Sequence, residues 1–109
     1  MGAAGQSHTA EELRQRVDSL IQSGDLAAAD QAASQWLEVS IESLGDDHRD
    51  TGTAWHTLGA IQANRGELQA AARSLQAALS IFSAQVGDGD PITSGILKSL
   101  ADVQVARGE

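Results

Sequence analysis

The stretch Gly66-Glu67-Leu68-Gln69-Ala70-Ala71 restates Gly24-Asp25-Leu26-Ala27-Ala28-Ala29 at a distance of 42 residues, and Gly108-Glu109 opens the same phrase again. The spacing holds outward from there. Gly45 and Gly87, Thr51 and Thr93, and Leu58 and Leu100 are each 42 apart, and residues 24–67 laid over 66–109 agree at 13 of 44 positions. Other pairs are conservative: Val39 with Ile81, Leu44 with Val86, Ile61 with Val103. A period of this length belongs to stacked supersecondary units, each too small to bury its apolar face alone. Such arrays serve mostly as surfaces for other chains, so the repeat points to a recognition scaffold without naming a ligand.

Composition narrows the class further. At 109 residues the chain suits one small domain, and its 41% hydrophobic content is dominated by alanine and leucine, with Trp36, Trp55 and Phe82 as its aromatic residues. Few aromatic and β-branched residues beside abundant Ala, Leu, Gln and Glu favour helix over sheet. The formal net charge of −8 argues against nucleic acid and anionic membranes as partners, because both need a concentrated basic surface. Without cysteine there are no disulfides or thiolate metal sites, and a reducing, cytoplasmic setting is expected. Arginine outnumbers lysine six to one, a usage that points towards a GC-rich bacterial genome. Residues 1–8 lack the basic and apolar regions of a secretory signal and read as a flexible lead-in or a cloning remnant.

Periodicity and punctuation predict five helices and no strand. Thr9 and Glu12 form a capping-box pattern that opens the first, with Leu13, Val17, Leu20 and Ile21 on its apolar face and Gly24 at its end. The second runs from about Asp25 to Leu44 with Leu26, Ala29, Ala33, Trp36, Leu37 and Ile41 inward. The third covers about Asp50 to Arg65, and the fourth, about Glu67 to Val86, repeats the second with Leu68, Ala71, Leu75, Ala78, Leu79 and Phe82. Asp90 as N-cap and Pro91 at the first helical position open the fifth, which ends near Arg107. The expected organisation is a domain over 9–109, divided into 9–45, 46–87 and a half unit at 88–109.

The series Trp55, Leu58, Gly59, Gly66, Leu68, Ala71, Leu75, Ala78 resembles the tetratricopeptide repeat (TPR). Its small residues strip bulk where two helices cross closely, and the large ones fill the gaps beside them. The 42-residue period and the linkers LGDDHRDT and VGDGDPIT resemble the kinesin-light-chain subtype. The first linker keeps His48 but has Arg49 for the usual proline; the second keeps Pro91 but has Asp90 for the histidine. In the first helix Arg16 and Val17 stand at the usual leucine and glycine positions, a departure that fits a solvent-facing end. The resemblance implies an all-α fold: antiparallel helix hairpins stacked as a short right-handed α-solenoid in the order A-B-A-B-A. It also implies a groove lined by Glu11, Arg14 and Asp18, by Thr53, His56, Thr57, Ala60 and Asn64, and by Lys98, Ser99 and Asp102. Thr57 and Ser99 stand where relatives that clamp a carboxylate carry asparagine, so a protein or peptide of some basic character is the better-matched partner.

Nothing in the chain composes a reactive centre. Asp46, Asp47, His48 and Asp50 have ligand-type side chains, but their repeat counterparts Asp88–Asp90 lack the histidine, and both groups read as turn formers and N-caps. His56 has only Thr53, Thr57, Ala60 and Asn64 on its helical face, a hydrogen-bonding set with neither acid nor nucleophile. Trp36 and Trp55 sit at packing positions, and Gly87-Asp88-Gly89-Asp90 lacks the lysine and the strand of a phosphate loop. The expectation is a non-enzyme without cofactor or metal.

Two functional readings follow. One is partner binding in the groove. The other is a self-association or docking element that uses a helical face, because the sequence stops where the repeat calls for another second helix. On that reading the fifth helix packs inward through Leu97, Leu100 and Ala101, while Ile92, Ile96, Val103 and Val105 form the face of a two-fold homodimer. The alternative at that end is a missing downstream segment, with the chain a domain of a larger multidomain protein.

Overall fold

The computed structural model describes residues 9–108, so the lead-in expected at 1–8 lies outside the described residues. The five helices fall within a residue of their predicted ends: α1 (Ala10–Ser23), α2 (Leu26–Leu44), α3 (Arg49–Asn64), α4 (Leu68–Gln85) and α5 (Pro91–Ala106). Each helix packs against its neighbours in the chain, and α3 also touches α5. The result is an all-α helical repeat solenoid with extents of 49 × 30 × 20 Å.

Local chemistry sets the boundaries. Thr9 Oγ1 accepts from the Glu12 amide at 3.1 Å while the Glu12 carboxylate accepts from the Thr9 amide at 2.9 Å, so both orphan donors are met. Gly24 closes α1 at φ +82°, a left-handed conformation that side chains with a Cβ rarely adopt. The two long linkers are hydrogen-bonded alike although their sequences differ. His48 Nδ1 accepts from the Asp50 amide at 3.0 Å, and Asp90 Oδ1 accepts from the Ile92 amide at 2.9 Å. Asp90, standing where the first linker has His48, therefore performs the same capping task. Each linker is also clasped by a buried threonine: Thr51 Oγ1 donates to the Gly45 carbonyl and Thr93 Oγ1 to the Gly87 carbonyl, both at 2.8 Å.

Packing shows that α3 has two inward faces. One face of α3, formed by Ala54, Leu58 and Ile61, joins Trp36, Leu37 and Leu13 in a core with the preceding helices. The other face seats α4. A Cβ added at Gly52 would lie 2.9 Å from Phe82 Cε2, and one at Gly59 would lie 2.9 Å from Leu75 Cγ. Trp55 is half-buried between this core and a second one built by Ala71, Leu75, Ala78 and Phe82 with Ile96, Leu100 and Val103. Leu68 and Leu79, expected inside, are partly buried at its edge.

The same two faces explain both ends. Among the described residues no helix precedes α1, and Glu12, Arg16 and Ser19, the counterparts of Ala54, Leu58 and Ile61, are exposed and polar. It buries Leu13 and Val17 instead. Helix α5 corrects the sequence reading. Ile96 (0% exposed) and Val103 (4%) are core residues, whereas Leu97 (44%) and Ala101 are exposed. Leu97 and Ala101 correspond to Trp55 and Gly59, whose face is covered by the following helix; among the described residues α5 has none. Ile92 and Val105 are exposed, as expected.

Candidate functional site

The residues picked out for a groove lie at helical spacing along α1, α3 and α5. At one end, Glu11 and Arg14 line a cleft with Ala10, Trp36, Asp50 and Thr53. A second cleft, of about 310 Å³, is bounded by Asp18, Ile21 and Leu26 on one side and by His56, Thr57, Ala60, Ile61 and Asn64 on the other. A third, also about 310 Å³, lies between Ala60, Ala63, Asn64, Leu68 and Leu75 and the α5 residues Ser99, Asp102, Val103 and Ala106. Lys98 lines none of the three and lies 3.6 Å from Asp102. Trp36, a contributor to the first cleft, was assigned to the core by sequence, and at 4% exposed it is mainly a core residue.

Charge on this side is negative despite its two cations. Arg14 donates to Glu11 at 2.7 Å and lies 3.8 Å from Asp18, with Asp50 adding to the same field. The Arg14 guanidinium holds the Glu11 carboxyl below its ordinary range, helped by a hydrogen bond from Gln15. Glu11, Asp18, Asp50 and Asp102 thus face Arg14 and Lys98, four carboxylates against two cations. His56 is half-buried in the second cleft, and that burial pushes its imidazole below the usual histidine value. It is therefore neutral near pH 7 and presents one donor and one acceptor.

Comparison with protein families matches residues 8–84 to the tetratricopeptide repeat. The chain belongs to the TPR family. TPR arrays are non-catalytic repeat scaffolds that generally mediate protein–protein contacts. No curated protein matches the chain. The acidic linker of this TPR protein is engaged structurally: His48 caps α3, and the Asp47 carbonyl accepts from Gln85 Nε2 at 2.8 Å. Among the described residues no group of three or more His, Cys, Asp or Glu is placed to hold a metal ion, and no helix is long and apolar enough to cross a membrane.

Sequence reasoning missed the apolar floor of the clefts. Ile21, Leu26, Leu68 and Ala63 line them, yet periodicity marks the first three only as inward and does not single out Ala63. The signal available was the repeat itself, since Ile21 and Ala63, and Leu26 and Leu68, are 42 apart.

Proposed function

We propose that this chain is a protein-interaction module that binds a partner peptide of basic character along α1, α3 and α5. What supports the reading is one observation: ten of the eleven groove residues chosen from sequence line three neighbouring clefts on those helices. The excess of carboxylates there favours a cationic ligand and disfavours anionic ones. We also place the chain in the kinesin-light-chain-like subtype, on its 42-residue period and its paired linkers ending in Thr51 and Thr93.

Selection from a random-peptide display library, followed by amide chemical-shift mapping on the full chain, tests this. Bound peptides should be enriched in Lys and Arg and should shift amides of α1, α3 and α5. Alanine at Arg14, His56, Asn64 or Lys98 should alter stability by no more than about 0.5 kcal/mol while changing affinity. Shifts confined to other surfaces would overturn the reading.

A second reading, self-association through α5, draws on the exposed Ile92, Leu97, Ala101 and Val105. The occupant is a second copy of this chain. Light scattering at tens of micromolar should then report a dimer that Leu97→Glu converts to a folded monomer; a strict monomer of 11.3 kDa excludes it.

A further inference from the structure

The second and third clefts are the same cleft displaced by one repeat. Most of their wall residues correspond at a distance of 42: Asp18 with Ala60, Ile21 with Ala63, Leu26 with Leu68, Thr57 with Ser99, Ala60 with Asp102, and Ile61 with Val103, while His56 and Leu75 are each particular to one cleft. Their volumes are equal at about 310 Å³, and Ala60 and Asn64 of α3 form the ridge they share. The charges break the equivalence in an ordered way. The position that is Asp18 on α1 and Asp102 on α5 is Ala60 on α3. A carboxylate therefore stands on the outer wall of each cleft, and the ridge between them is uncharged.

These carboxylates are available to a ligand. Asp18 shares Arg14 with Glu11, which holds it more closely, 2.7 Å against 3.8 Å. Asp102 meets Lys98 at 3.6 Å in an exposed pair one helical turn apart, a type that contributes little.

Resting on the groove reading above, we infer that the ligand is bipartite: an extended peptide with two apolar side chains three residues apart and a basic residue outside each. The apolar side chains enter the two clefts, and the flanking cations meet Asp18 and Asp102. The spacing comes from the repeat. Helices in contact lie about 8–10 Å apart, and α3 touches α5. A polyproline II strand rises about 3.1 Å per residue and returns a side chain to the same face every third residue. Positions i and i+3 of such a strand lie about 9 Å apart on one face, the same order as one step between neighbouring helices.

The probe is fluorescein-labelled Gly-Lys-Leu-Ser-Gly-Leu-Lys-Gly, titrated with the full chain by fluorescence polarisation. Changing the number of residues between the leucines, or replacing the leucines by serine, should weaken binding about tenfold or more. Asp18→Asn and Asp102→Asn should each weaken it about fivefold, and the double variant by about the product. Both positions are exposed, and circular dichroism should show that the variants keep their helix content. Equal binding at every leucine spacing, or indifference to both aspartate changes, overturns the bipartite ligand. If display-selected peptides still shift amides of α1, α3 and α5 in that case, the groove reading stands and only its pattern fails. If neither they nor the probe shift that face, both readings fall.

Discussion

The same substitution, glycine to alanine, should have opposite effects at two helical positions of this chain. Gly59 and Gly95 both lie inside helices, α3 and α5, with ordinary helical backbone. Alanine at either gains roughly 0.8–1 kcal/mol of helix propensity. The surroundings differ. At Gly95 an added Cβ meets nothing within 4 Å, so the gain is kept. At Gly59 it would sit 2.9 Å from Leu75 Cγ, 3.0 Å from Cδ2 and 3.3 Å from Ser74 Cβ. Comfortable carbon contacts begin near 3.5 Å, so Leu75 must retreat by about half an ångström. Leu75 is fully buried, and its Cγ is close to the backbone of α4, which leaves it little room. Overpacking of this kind costs about 1–3 kcal/mol. Because the propensity gain is common to both variants, the difference between them isolates the packing cost. For a chain of this size each kcal/mol moves Tm by about 4–8 °C. Gly95→Ala should melt above the parent and Gly59→Ala at or below it, with Gly59→Leu lower again. Thermal unfolding followed by circular dichroism at 222 nm, a standard helix signal, reads this out. If Gly59→Ala proves as stable as Gly95→Ala, the close seating of α4 on α3 is wrong.

Leu75→Ala removes a fully buried side chain from the second core and should cost about 2–5 kcal/mol in urea unfolding, enough to threaten the fold. Thr51→Val keeps the shape of the linker clasp but deletes the donor to the Gly45 carbonyl, for an expected loss of about 1–2 kcal/mol by the same assay. Stability should also fall on acidification because of His56. Its folded pKa lies below the unfolded value of about 6.5, so the unfolded chain binds the extra proton first. The stability it contributes is present above that value and is lost as pH falls through about 6.5 towards the folded pKa. Urea midpoints should show this slope, and His56→Gln should flatten it.

Much of the fold was legible because helix ends are made by short-range chemistry. Thr9 with Glu12, Asp25, and Asp90 with Pro91 act within a single turn, and the structure uses each as a cap. The rotation of a helix about its axis was less legible, since it depends on which neighbours exist. Ile96 and Leu97 are adjacent apolar residues, and nothing local says that the first is buried and the second bare. Only the comparison with Ala54 and Trp55, and the helices that cover them, separates the two. The groove positions on α1, α3 and α5 came from the family resemblance, which the repeat carries to all three helices. The cleft floors show only as paired repeat positions, because an apolar residue in a core and one beneath a cleft leave the same trace in a sequence.

The connection of each helix mainly to its neighbours in the chain also has a kinetic side. No distant segments must find one another before stabilising contacts form, so little loop-closure entropy stands in the way of the first native pairs. Helical chains dominated by local contacts of this kind fold in microseconds to milliseconds. Assembly can proceed as a zipper, with α1 settling on α2 while later helices are still unmade. On a ribosome, the hairpin of α1 and α2 would be packed before Leu97 is synthesised, so its core is sheltered while the flank of α5 is still unmade.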